Sequence, residues 1–168
     1  IESHRLAPYN IRGSDVAVIL DLMIHDLDLL LNMIDSKVVD IKASGACIIS
    51  NFIDLANARI TFKNGTVANI TASRVSNQQM RKMRLFEKKS YTTLDFDEQT
   101  LKNFTISTDL KIKENTLKIK NKNALLLELR SFTNSIMNNS GVVVSGEDGL
   151  EALKIAHKIQ HIIEKQKL

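Results

Sequence analysis

Three carboxylates and one imidazole fall within eight residues of an otherwise apolar stretch, Asp21-Leu22-Met23-Ile24-His25-Asp26-Leu27-Asp28. On a helix, at about 100° per residue, Asp21, His25, Asp28 and Asn32 recur at i, i+4, i+7 and i+11 and form one narrow polar stripe. Val16, Val18, Ile19, Leu20, Leu22, Met23, Leu27, Leu30 and Ile34 cover the other directions, with Asp26 the main exception. A helix apolar on most sides is buried. Its stripe must then face a cavity, a ligand or a second domain, because an unpaired buried charge costs several kcal/mol. A carboxylate beside an imidazole raises its pKa and fixes its orientation, as a general acid or base requires. The same spacing also suits a satisfied polar pair at a domain interface, and spacing alone leaves both readings open.

Elsewhere the chemistry is sparse. His157 and His161 share an i, i+4 spacing, but Lys154, Lys158 and Lys165 lie on the same face, which reads as a solvated helix surface; no metal site is expected. The single cysteine, Cys47, excludes an internal disulfide and reads as a small core residue. Six isolated glycines form no Gly-x-Gly-x-x-Gly loop, so no nucleotide-binding module is expected within this chain.

The chain has 168 residues, 43% of them hydrophobic and 25% charged, the balance of an ordinary globular domain. One domain spanning residues 1–168 is expected, burying roughly 70% of the surface its unfolded chain exposes. The net charge of +4 is spread evenly along the sequence, and aromatic residues are only 5%, which argues against a nucleic-acid partner. No apolar run approaches the ~20 residues of a membrane-spanning helix. The sequence starts at Ile1 without a signal-peptide pattern and reads as a piece of a longer cytoplasmic protein.

The elements that must position the stripe follow from periodicity. Residues 1–7 read as a strand and 16–34 as the helix, with Ser14 as its N-cap and Asp15 in its first turn. A strand over 38–49 comes next. Asn64-Gly65 then marks a two-residue hairpin turn between alternating runs. One hairpin face carries Ala56, Ala58, Ile60, Phe62, Ala68, Ile70 and Ala72; the other carries Asn57, Arg59, Thr61, Asn69, Thr71 and Ser73. Short polar side chains suit packing against a second sheet or a symmetry mate, and equally a solvated face. Strands over 81–87 and 91–96 follow, with weaker ones at 101–107 and 110–120, the last with the alternating lysines 111, 113, 118, 120 and 122 that protect a sheet edge. Helices at 124–138, with Leu125, Leu129, Phe132 and Ile136 on one face, and 147–165 close the chain. The order is strand, helix, four to six strands, two helices. That predicts an α+β fold, a large, mainly antiparallel, open-faced sheet with helices packed on one face.

Glu2-Ser3-His4-Arg5, Arg12-Gly13-Ser14-Asp15-Val16, the Asp21–Asp28 stretch and residues 54–76 closely resemble the C-terminal half of the Gfo/Idh/MocA oxidoreductases, and residues 144–149 resemble the start of that family's last helix. The resemblance implies the C-terminal α/β domain of a two-domain NAD(P)-dependent enzyme acting on a hydroxyl of a sugar, sugar derivative or cyclitol. NAD or NADP would be bound by an N-terminal Rossmann domain absent from this chain, as is the family's Glu-Lys-Pro motif, so the fragment alone is expected to be inactive. His25 would be the acid/base and Asp21 its positioning partner, with Arg12, Asp15 and Asp28 as substrate-binding residues. Expected partners are a small-molecule substrate, the chain's own Rossmann domain and a second copy meeting the open sheet face in a homodimer or homotetramer. The competing reading is a non-catalytic, self-associating α+β interaction domain whose polar stripe only docks another domain.

Overall fold

The computed structural model describes residues 1–107, 109–119 and 123–166. It shows an eight-stranded sheet in the order β2-β3-β4-β1-β5-β6-β7-β8. The strands are β1 (Glu2–Leu6), β2 (Val38–Ala46), β3 (Leu55–Phe62), β4 (Val67–Ser73), β5 (Met80–Glu87), β6 (Ser90–Asp95), β7 (Thr100–Ile106) and β8 (Ile112–Lys118). β1 runs parallel to β4 and antiparallel to β5; the remaining neighbours are antiparallel. The helices are α1 (Ile24–Met33), α2 (Ala124–Met137) and α3 (Gly146–Lys165). The α+β reading therefore holds, with seven strands after the first helix rather than four to six.

The core lies between one sheet face and the α1/α3 pair. Ala56, Ala58, Ile60 and Phe62 from β3 and Ala68, Ile70 and Ala72 from β4 meet Met23, Leu27 and Leu30 from the first helix and Ala156, Ile159 and Ile163 from α3. Small alanines in the strands let the helices seat close to the sheet. Ser145 caps α3 in a capping box with Asp148. α2 departs from expectation: its apolar face is not part of this core, and Leu125, Leu129, Phe132 and Ile136 remain exposed. β8 is the sheet edge and is exposed throughout, as its lysines suggest; Lys120 and Lys122 lie outside the described residues.

Several local expectations are corrected. The hairpin loop has three residues, 63–65: Phe62 donates its N–H to the Thr66 carbonyl and accepts from the Gly65 amide, with Gly65 at φ +88°. A left-handed third residue is what such a loop requires, and glycine supplies it. β2 stops at Ala46 rather than 49, because the amides of residues 48–50 turn inward to the Asp54 carboxylate. Cys47, on that loop, is exposed rather than a core residue. Ser14 is not the N-cap; it lies in a turn, where its hydroxyl donates to the Ile11 carbonyl at 2.7 Å. The helix begins four residues later, at the N-cap Val18, with a π turn over Ile19–Met23.

The sheet and first helix are joined through a buried ion pair. Arg5 of β1 donates from Nε to Asp26 Oδ2 at 2.9 Å and from Nη2 to Oδ1 at 3.1 Å, with the two residues only 6% and 2% exposed. The carboxylate that the periodicity set apart from the stripe is thus the one that the fold buries. Removing one partner strands a charge in the core, so Asp26→Ala is expected to cost about 3–5 kcal/mol in urea unfolding. The paired change Arg5→Met with Asp26→Leu should recover most of that, and a loss below ~1 kcal/mol in the single variant would mean that the pair does not anchor the helix.

Candidate active site

α1 is entered through the π turn, where Ile24 donates its N–H to the Ile19 carbonyl five residues back instead of four. The extra residue rotates Asp21 relative to an ideal helix, and such turns concentrate at functional sites. Asp21 packs against Gly13: a Cβ added there would lie 2.9 Å from Asp21 Oδ2, and Gly13 has φ +79°. Glycine is required at this position for both reasons.

The loop carrying Gly13 is held by Arg74, at the end of β4. Its guanidinium donates to the Gly13 and Val16 carbonyls and, at 3.4 Å, to that of Ile53, and it forms an ion pair with Asp54 at 3.6 Å. Asp54 is fully buried. Burial by itself would raise its pKa, but the Ser50 hydroxyl at 2.7 Å and the amides of Ile48, Ile49 and Ser50 at 2.7, 2.9 and 3.0 Å all donate to the carboxylate and bring it to about 2.

Beside the first helix lies a cleft of about 340 Å³ lined by Arg5, Leu6, Ala7, Asp21, Leu22, His25, Gln79 and Arg81. Asp21 and His25, four apart in sequence, therefore line one cavity, although no hydrogen bond joins them among the described residues. The His25 pKa lies below the ordinary 6.5, first through partial burial and then through the neighbouring cations Arg5 and Arg81, with Asp26 and Asp21 opposing. At neutral pH the imidazole is uncharged and able to accept a proton. Arg12 and Asp15 are exposed in the turn before the helix, and Asp28 accepts at 3.2 Å from its helical neighbour Asn32. None of these three lines the cleft.

Sequence periodicity missed the strand residues of this site. Arg81 faces the helices together with Met83 and Leu85, two and four residues on, and pairs directly with Arg5 across β1 and β5. An arginine at the apolar parity of its strand was the available signal. Gln79 donates to Asp97 at 2.9 Å at the cleft margin. Among the described residues no group of three or more His, Cys, Asp or Glu side chains could hold a metal ion, and no helix is long and apolar enough to cross a membrane.

The class set by this geometry is an open, mainly antiparallel sheet carrying an Asp/His cleft beside its first helix. The sequence profile of the GFO/IDH/MocA C-terminal domain matches residues 5–90, half of the chain. The chain belongs to the Gfo/Idh/MocA family, to whose C-terminal domain it corresponds. It is similar to a UDP-N-acetylglucosamine 3-dehydrogenase from Acidithiobacillus ferrooxidans, with 35% identity over 169 residues, covering 98% of this chain and 54% of that protein. A solved structure of that dehydrogenase superposes with a TM-score of 0.91 at 34% identity, again over 98% of this chain and 54% of the other. A levoglucosan dehydrogenase in complex with NADH and L-sorbose shares the fold, with a TM-score of 0.82 at 15% identity, over 98% and 56% of the two chains. The chain spans about half the length of these relatives.

The Asp54 carboxylate ties the loop after β2 to the Arg74 clamp, and its lowered pKa makes that tie pH-dependent. A depressed folded-state pKa contributes stability that is complete above the unfolded value of 3.8 and is lost as pH falls toward about 2. The loss is expected to reach about 2 kcal/mol across that window. Thermal melts between pH 5 and pH 2 should show it in the wild type and show a flatter profile in Asp54→Asn; parallel profiles would contradict the assignment.

Proposed function

We propose that this chain is the substrate-binding and acid–base domain of an NAD(P)-dependent oxidoreductase that oxidises a secondary hydroxyl of a sugar nucleotide. The observation that carries the reading is the shared cleft of Asp21 and His25, with a neutral imidazole, in a chain 35% identical over nearly its whole length to a UDP-N-acetylglucosamine 3-dehydrogenase. The dinucleotide fits no element among the described residues. Among the described residues the one parallel strand pair, β1 with β4, has no glycine-rich strand-to-helix turn that could cradle a pyrophosphate. Its binding is assigned to an N-terminal Rossmann domain, in keeping with the length of the relatives.

Oxidising an alcohol removes a proton from oxygen and a hydride from carbon. His25 takes the proton; a nicotinamide held by the other domain would supply the hydride acceptor. Asp21 offsets part of the cationic field of Arg5 and Arg81 and stabilises the imidazolium as it forms. Its placement against Gly13 holds that carboxylate at the cleft wall. Arg12, Asp15 and Asp28 would reach a substrate only from outside this cleft, so the proposal rests on Asp21 and His25.

A second copy is proposed to meet the open sheet face. Thr71 and Asn57 bond to each other there at 2.8 Å, and Phe86, Tyr91 and Phe104 stack in a ladder with ring centroids 5.0 and 5.7 Å apart. Ser73, counted in this face by alternation, is buried. Phe86 is 55% exposed, an aromatic patch of the kind that interfaces cover. Light scattering on the complete protein should give a dimer or tetramer, and Phe86→Lys with Thr71→Glu should lower the molar mass; an unchanged mass would remove this face from the interface.

The catalytic reading is tested in the complete protein by following NAD(P)H formation with UDP-N-acetylglucosamine. His25→Asn is expected to reduce turnover by about 10²-fold or more while leaving the melting curve unchanged. Because the imidazole must be neutral to act as the base, wild-type activity should rise with pH through a value below 6.5. Wild-type turnover in His25→Asn would leave the interaction-domain reading.

A further inference from the structure

The helix-facing side of the sheet brings three arginines near the first helix, and their charges are treated differently. Arg5 is neutralised bidentately by buried Asp26, and Arg74 is engaged by Asp54 and by backbone carbonyls. Arg81 stands beside Arg5, directly paired with it across two strands, and lines the cleft with His25. Among the described residues no carboxylate lies within ion-pair distance of its guanidinium. Asp97, on the loop after β6, and Asp26 attract the guanidinium from beyond ion-pair distance, and the Asp97 carboxylate accepts its hydrogen bond from Gln79. Two arginines paired on one strand face repel each other, and a planar cationic fork open to a cleft is suited to two oxygens of one anion.

We propose that Arg81 is the residue that binds the anionic group of the substrate, gripping phosphate oxygens of a sugar nucleotide while His25 meets the hydroxyl to be oxidised. This rests on the reading of the cleft given above. At about 340 Å³ the cleft is near the small end of ligand sites, with room for a sugar ring and an adjoining phosphate and with the nucleoside lying outside. Asp21 supplies the opposite polarity on the α1 side. A phosphate is drawn to Arg81 and kept off Asp21, which sets the direction in which the sugar lies. A neutral sugar gains nothing from this cation, so Arg81 selects charged substrates over uncharged ones. Phosphate oxygens could come from substrate or from cofactor, and the two sources separate kinetically.

In the complete protein, Arg81→Gln is expected to raise KM for UDP-N-acetylglucosamine about 10- to 100-fold, to leave kcat at saturation within a few-fold, and to leave KM for NAD(P) unchanged. Arg81→Lys keeps the charge without the fork and should fall between. Independently of turnover, inorganic pyrophosphate titrated into the wild type should shift the His25 imidazole NMR signals and raise their titration midpoint, and Arg81→Gln should abolish the shift. If no sugar nucleotide is oxidised but the pyrophosphate response is present and vanishes in Arg81→Gln, the substrate reading falls and the anion site stands. A folded Arg81→Gln protein with unchanged KM for the sugar nucleotide, an unchanged pyrophosphate response, or a KM change confined to NAD(P) would overturn the proposal.

Discussion

Arg5 leaves β1 on the side that faces the helices, where little water remains, and Asp26 comes down from α1 to meet it with two hydrogen bonds. A buried charge pair of this kind adds little net stability, but it is intolerant of misregistration, since a displaced partner leaves an uncompensated charge in the core. β1 lies between β4 and β5 and so joins the helix-covered part of the sheet to the strands beyond it. Pinning α1 to this strand sets the rotation of the helix. With Asp26 turned inward, His25 is carried about 100° round to the cleft margin, beside Arg81 of β5. The position of the imidazole is therefore a consequence of where the neighbouring carboxylate is buried.

A second clamp acts on the approach to the helix. Arg74 at the end of β4 collects carbonyls from residues 13, 16 and 53, and Asp54 balances its charge while gathering the amides of the 48–50 loop. These groups come from three separated stretches of chain and would be orphaned polar atoms without one another. Their joint effect is to bring Gly13 against Asp21, where a larger residue could not fit. Wall and base of the cleft are thus set by two different ion pairs, one beneath the helix and one at its start.

The chain completes its core over only part of the sheet. The core extends from β2 through β3, β4 and β1 to Met83 of β5, whereas Leu94 and Leu101 farther along are only partly buried and α2 keeps its apolar residues in solvent. In the two-domain reading proposed here, the cleft lies at the border between the covered and uncovered parts of the sheet. A cofactor carried by a separate domain could approach it from the uncovered side.

The order of elements, the alternation of β3 and β4, the capping box of α3 and the edge character of β8 were all legible in the residues, because each depends on neighbours a few positions apart. Asp21 and His25 were legible for the same reason, as polar groups interrupting an apolar helix. Periodicity left Asp26 without a partner and misassigned Ser14, Cys47 and the apolar face of α2, since burial and capping there depend on what arrives from elsewhere in the chain. Asp26 is buried because Arg5 reaches it across 21 residues of sequence, and β2 ends early because Asp54 gathers the amides of the loop that follows. The place of Arg81 beside His25 arises from the antiparallel register of β5 on β1, a long-range pairing that no local pattern encodes. Sequence determined which groups could do chemistry; tertiary structure decided which charges are paired inside the fold and which line the cleft, because both depend on contacts between residues far apart in the chain.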